Sequence, residues 1–181
     1  MTQVADPIAW PIVNGLAECL CEILDKEAPV KCCCVQYGSE VSLDDCSREG
    51  DREGMAWARL VSVYPTRVFP QADATRIGNC GGENGWAVMV ELGVVRCAPS
   101  IDERGNLPKC WDITNAAEKA ANDAHAMRRA IMCCGWGQNN DPLGDDPEYV
   151  IGAWHPLGGE GGCQGGTMTV TVHAWGCVCN G

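Results

Sequence analysis

Fourteen cysteines in 181 residues constrain this chain more than any other feature. They are Cys19, Cys21, Cys32, Cys33, Cys34, Cys46, Cys80, Cys97, Cys110, Cys133, Cys134, Cys163, Cys177 and Cys179. An even, dense set of this kind reads as a disulfide framework in a small exported protein. The stretch Met1 to Trp10 carries no basic residue and no signal-like apolar run, so synthesis in a reducing cytoplasm is expected. Two resolutions stay open. The thiols remain reduced and act as small buried hydrophobes, or the protein ends up outside a cell and oxidises there. A particle assembled in the cytoplasm and then released satisfies both facts. No pairing follows from spacing alone. Cys133 and Cys134 point to different sides of a helix and need different partners. Cys97, in a strand, is expected to be buried, while Cys163, Cys177 and Cys179 are expected to oxidise most readily.

The length suits one domain, 1–181, with a loose tail from about residue 176. Apolar residues make up 46% and charged residues 20%, a globular balance. No uncharged run is long and glycine-poor enough to span a bilayer. The formal net charge is −11. The only lysines are Lys26, Lys31, Lys109 and Lys119, and Arg128-Arg129 is the sole basic pair worth noting. Tight phosphate binding needs clustered cations, so DNA gripping is not expected. Acidity keeps the chain soluble and also suits a surface that DNA slides past.

Periodicity gives the elements. Asp6 to Leu24 reads as a helix capped by Asp6, with Ile12, Leu16, Cys19, Leu20, Ile23 and Leu24 on one apolar stripe. Val30 to Tyr37 reads as a short strand and Gly38 to Gly54 as a charged loop. Met55 to Tyr64 alternates, with Trp57, Arg59, Val61 and Val63 on one side. Trp86 to Cys97 is apolar on both faces and is expected at the centre of a sheet. Asn115 to Cys134 reads as a second helix, started by Asn115 and Glu118 and thinned by a run of alanines. Tyr149 to Trp154 and Thr167 to Trp175 read as strands around a glycine-rich loop, His155 to Gly166. In that loop Gly158, Gly159, Gly161, Gly162, Gly165 and Gly166 form a candidate interface segment. The order predicts an α+β fold: an antiparallel sheet packed by two main helices, with long loops and a glycine-rich hairpin.

Catalytic and metal chemistry find little support. No Cys-x-x-Cys occurs, and Cys19/Cys21 and Cys177/Cys179 are only weak zinc signals. Cys163 with His155 or His173 is the one tempting nucleophile–base pair, if the glycine loop exposes the thiol. No apolar helix follows Cys163 to lower its pKa, so a structural thiol is preferred. His125, on the alanine-rich helix, reads as a surface or interface residue. The Gly158 to Gly166 run fits neither phosphate-binding glycine pattern, and Asp145/Asp146 read as solvated loop carboxylates. No catalytic residue, cofactor or metal is expected. A cysteine-dependent hydrolase and a metal-binding module remain the competing classes.

Several strings resemble the small head–tail connector proteins of tailed phages infecting actinobacteria, the tail terminators. They are Val13-Asn14-Gly15-Leu16-Ala17-Glu18-Cys19-Leu20, Gly54-Met55-Ala56-Trp57-Ala58-Arg59-Leu60-Val61, Leu92-Gly93-Val94-Val95-Arg96-Cys97-Ala98-Pro99, Met127-Arg128-Arg129-Ala130-Ile131, and Trp154-His155-Pro156-Leu157-Gly158-Gly159-Glu160-Gly161-Gly162-Cys163. The resemblance implies a hexameric ring at the head end of a tail tube. Its partners would be further copies of itself, the tube protein and the head-side neck proteins, with DNA passing without specific binding and no membrane contact. It implies a location in the virion after assembly in the host cytoplasm. Stopper and adaptor neck proteins are the neighbouring alternatives.

Overall fold

A computed structural model describes residues 6–43, 46, 48–73, 85–101, 104–134, 147–160 and 162–176. Cys80, Cys177, Cys179 and Gly161 lie outside these described residues.

Helix α1 spans Ala9–Glu27. The Asp6 carboxylate accepts the amides of Ile8 (2.8 Å) and Ala9 (2.9 Å), satisfying donors that the first turn leaves without partners. Pro11 sits in that same turn, where its missing N–H removes nothing the helix uses. Ile12, Leu16, Cys19, Leu20 and Leu24 are buried, so the expected stripe is the packed face. Helix α2 spans Cys110–Met132, starting five residues before Asn115. The Asp112 carboxylate accepts the Lys109 amide at 3.2 Å and stands near the positive end of the helix dipole. The start was hidden because Ile113 and Thr114 are poor helix formers. Thr114 turns its hydroxyl back onto the Cys110 carbonyl at 2.9 Å.

The strands are β1 (Cys32–Gln36), β2 (Arg48–Glu49), β3 (Arg52–Glu53), β4 (Met55–Thr66), β5 (Gly85–Cys97), β6 (Tyr149–Glu160) and β7 (Cys163–Trp175). β2 and β3 form a small hairpin inside the stretch expected as loop. The other five make one sheet in the order β1-β4-β5-β7-β6, with β5 at its centre as its apolar run predicts. All pairings are antiparallel except β1 with β4, which is parallel, so the sheet is mixed at one edge. α1 packs against β1, β4, β5 and α2, and the α+β class holds.

Two expectations about the strands need correction. The ladder between β4 and β5 shifts between Leu60 and Ser62. One extra residue in a strand turns every later side chain to the opposite face. Val63 therefore stands opposite Val88, on the helix side, rather than on the side of Trp57. The second correction concerns the glycine segment. His155 to Gly166 is strand on both arms, with β6 running to Glu160 and β7 starting at Cys163. Gly162 between them has φ +76°, as a tight hairpin requires. Gly165 and Gly166 are strand residues because the space above them is taken. A Cβ at Gly166 would lie 2.3 Å from the Trp154 indole, and one at Gly165 would lie 2.0 Å from the Val94 carbonyl oxygen.

The helices cover one face of the sheet. Ala56, Ala58, Val88, Val90, Leu92, Val94, Met168, Val170, Val172 and Ala174 meet the α1 stripe and Met127, Ala130 and Ile131 of α2 in one continuous core. The opposite face carries a smaller cluster of Cys46, Trp57, Val95 and Cys163, covered by Val41 and Leu43 of the loop after β1.

Candidate assembly surface

Among the described residues, three disulfides tie the elements together. Cys19 of α1 joins Cys134 just past α2, Cys21 of α1 joins Cys33 of β1, and Cys46 of the loop joins Cys163 of β7. Sequence separations are 115, 12 and 117 residues. In the chain-entropy picture, closing a 15-residue loop stabilises by about 3 kcal/mol and a 100-residue loop by about 4.7 kcal/mol. The two long closures therefore constrain the unfolded chain most. Cys133 is exposed and unpaired while its neighbour Cys134 is paired, as opposite sides of a helix end dictate. Cys32 and Cys110 are also free and exposed, and Cys34 and Cys97 are free and half-buried. Cys97 is thus less buried than its strand position implied.

Charge inside the fold is paired. Arg96, at the end of β5, makes a two-pronged contact with Asp123 of α2, both bonds 2.7 Å, and donates to the Ala28 carbonyl at 2.9 Å. Their side chains are only 7% and 3% exposed. Beside them Lys119 meets buried Glu53 at 2.7 Å. On the opposite face Arg59 and Glu91 pair through bonds of 2.7 and 3.1 Å, and the Trp57 indole donates to Glu91 at 3.2 Å. Glu91 holds the Arg59 guanidinium above its ordinary pKa, chiefly through that hydrogen bond. Arg59 also donates to the carbonyls of Gly38 and Ser39, which fixes the near end of the covering loop.

Surface relief gathers around α2. A cleft of about 500 Å³ has the Arg96–Asp123 and Lys119–Glu53 pairs in its lining, with Pro99, Pro108 and Trp111 at its walls. A second, of about 510 Å³, runs between Ile113 and the α2 alanines on one side and Trp154, Pro156 and Leu157 on the other. The stretch leading into α2 exposes Ile101 (60%), Leu107 (77%), Trp111 (61%) and Ile113 (54%). Sequence reasoning missed this surface. Its one legible signal is the placing of large apolar residues in a loop and a first helical turn, where no periodicity organises them.

The other candidate residues scatter. Cys163 is fully buried and its sulfur is bonded to Cys46, so a free nucleophile at this position is overturned. Burial follows from its place on β7 rather than on a loop. His173 is buried and its Nδ1 lies 3.0 Å from a Glu148 carboxylate oxygen, with its ring stacked on Phe69. His125 and His155 are exposed. Among the described residues, no group of three or more His, Cys, Asp or Glu side chains converges as a metal site. No helix among them is long and apolar enough to cross a membrane. Of the interface glycines, Gly158 is exposed with open space above it, Gly159 belongs to β6, Gly162 is the turn, and Gly165 and Gly166 are buried.

Fold and surface together define a disulfide-stapled α+β protein with an apolar flank beside α2. The chain matches no family model, and no curated protein is significantly similar to it.

Proposed function

We propose that this chain is a non-enzymatic structural protein of a tailed-phage virion, a ring-forming head–tail joining component of the tail-terminator type. One observation carries the reading. Ile101, Leu107, Trp111 and Ile113 stand more than half exposed ahead of α2 and in its first turn. Large apolar side chains grouped this way mark a surface that another protein covers. The alanine-lined cleft of α2 next to it allows a close approach by a neighbouring subunit. A net charge of −11 suits repeated copies around a channel crossed by DNA, since it disfavours sticking to the duplex. The disulfides suit a particle that leaves a reducing cytoplasm.

Native mass spectrometry of the purified protein tests the reading, together with cryo-electron microscopy of a virion that contains it. Rings, free or added onto tail tubes, are expected, and the ring's position in the neck distinguishes terminator from stopper or adaptor. Trp111→Asp is expected to abolish ring formation while leaving the far-UV circular dichroism unchanged. A protein that stays monomeric with and without tubes, or a Trp111→Asp variant that assembles as the parent does, overturns it.

A further inference from the structure

We infer that Cys163 is the fixed pole of an exchangeable disulfide, able to pass from Cys46 to Cys97 and so release the loop that covers the sheet's second face. The geometry places three cysteines together. Cys97 and Cys163 are directly opposite each other on β5 and β7. The Ala98 amide donates to the Gly162 carbonyl at 2.7 Å, outside that pair. A bond one residue beyond makes Cys97 and Cys163 a non-hydrogen-bonded pair, whose Cα atoms stand about 4.5 Å apart. That separation falls inside the range a disulfide spans. Cys163 already bonds Cys46 across a Cα–Cα distance of 5.3 Å. The Cys97 thiol donates to the backbone carbonyl of Cys46, so the free sulfur lies beside one of the two bridged residues. Cys97 is half-buried while Cys163 is fully buried, so the entering thiol is the one solvent reaches.

The exchange is balanced without any added oxidant or reductant. Cys97 gives its proton to water, and its thiolate attacks Cys163 Sγ. The Cys97–Cys163 bond forms as the Cys46–Cys163 bond breaks, and Cys46 departs as a thiolate that takes up a proton. The number of disulfides and of free thiols stays the same. The consequence is mechanical. Cys46 is the far anchor of the loop whose near end is held by Arg59 at Gly38 and Ser39. Once Cys46 is released, Val41 and Leu43 have no covalent hold over Trp57 and Val95. An apolar patch on the sheet then opens to solvent, while the Cys97–Cys163 bridge keeps β5 and β7 joined.

The test is disulfide mapping of the oxidised full-length protein by non-reducing digestion and mass spectrometry, before and after incubation at pH 8.5 without added thiol. A Cys97–Cys163 linked peptide is expected to appear at the expense of Cys46–Cys163, with an unchanged free-thiol count. Cleavage after Glu40 by a glutamate-specific protease is expected to quicken in step. Cys97→Ser, or Cys97→Ala if the first folds poorly, is expected to retain Cys46–Cys163 alone and the slow cleavage. A wild-type map that stays at Cys46–Cys163, or one that changes only in denaturant, overturns the proposal.

Discussion

The two faces of the sheet are built from the same strands and differ in what covers them. On the helix side, Leu16, Leu20, Val88, Val90, Leu92, Val94 and Met127 are completely buried under two long helices. Two disulfides lock the α1 edge of this layer, one to the end of α2 and one to β1. On the other side, a loop supplies Val41, Leu43 and Cys46 over Trp57 and Val95, and one bridge holds it. Fully burying a Val, Leu or Met side chain contributes roughly 1.5–3 kcal/mol, so the helix side holds far more of the folding free energy. A layer of that density leaves no freedom to rearrange. The thin cover on the opposite face is where a rearrangement would expose the least buried surface.

The largest effect is expected at the buried charges beneath α2. Asp123→Ala leaves Arg96 7% exposed with its carboxylate partner gone. An uncompensated buried charge costs about 3–5 kcal/mol, and a urea midpoint lowered by that free energy divided by an unchanged slope is the expected result. If Asp123→Ala unfolds at the parent's midpoint, the helix side is not where stability concentrates. Leu92→Ala, at 0% exposure under the helices, should cost about 2–5 kcal/mol. Val150→Ala, 45% exposed and opposite Thr171 on the other face, should stay within about 0.5 kcal/mol. Thermal melts of the two variants side by side measure the asymmetry, and equal shifts would contradict it.

Legibility in the sequence follows the same division. The helix side was readable because it is periodic: Ile12, Leu16, Leu20 and Leu24 mark α1, and the alternation from Met168 to Ala174 marks β7. The other side was read poorly because its logic is contact between distant residues. Gly93 reads as a weak spot in a strand, but a Cβ there would lie 2.1 Å from the Trp57 indole. On the helix side Gly166 makes the same allowance for Trp154, again a contact between residues far apart in the chain. Glycine that clears space for an aromatic ring across a strand looks, in one dimension, like glycine in a loop, and so β6 and β7 were cut short. The β4 bulge was equally silent, since a one-residue shift changes no local composition. The cysteine count left disulfides as one of two open states, and which cysteines meet depends on a fold that no spacing encodes. The apolar flank at residues 101–113 has no period to betray it.

The smallest expected effect lies at the sheet's short edge. Cys32 and Cys34 alternate with Cys33 on β1, and Cys33 reaches under the sheet to Cys21. Their sulfurs therefore share the other face, 3.8 Å apart. Partial burial first, then the hydrogen bond and the charge of Cys32, push the Cys34 thiol above its ordinary pKa. Folding thus favours the neutral thiol. The stability this group contributes is complete below the ordinary thiol pKa and falls away as pH rises from there through the higher folded value. Alkylation with iodoacetate, followed peptide by peptide in mass spectra, should give Cys34 a half-reaction pH higher in the folded protein than in urea. Cys32→Ser should lower that value part of the way, because burial remains. Identical profiles in buffer and urea would mean that this edge shields its thiols no better than the unfolded chain does, and the contrast between the faces would end at β4.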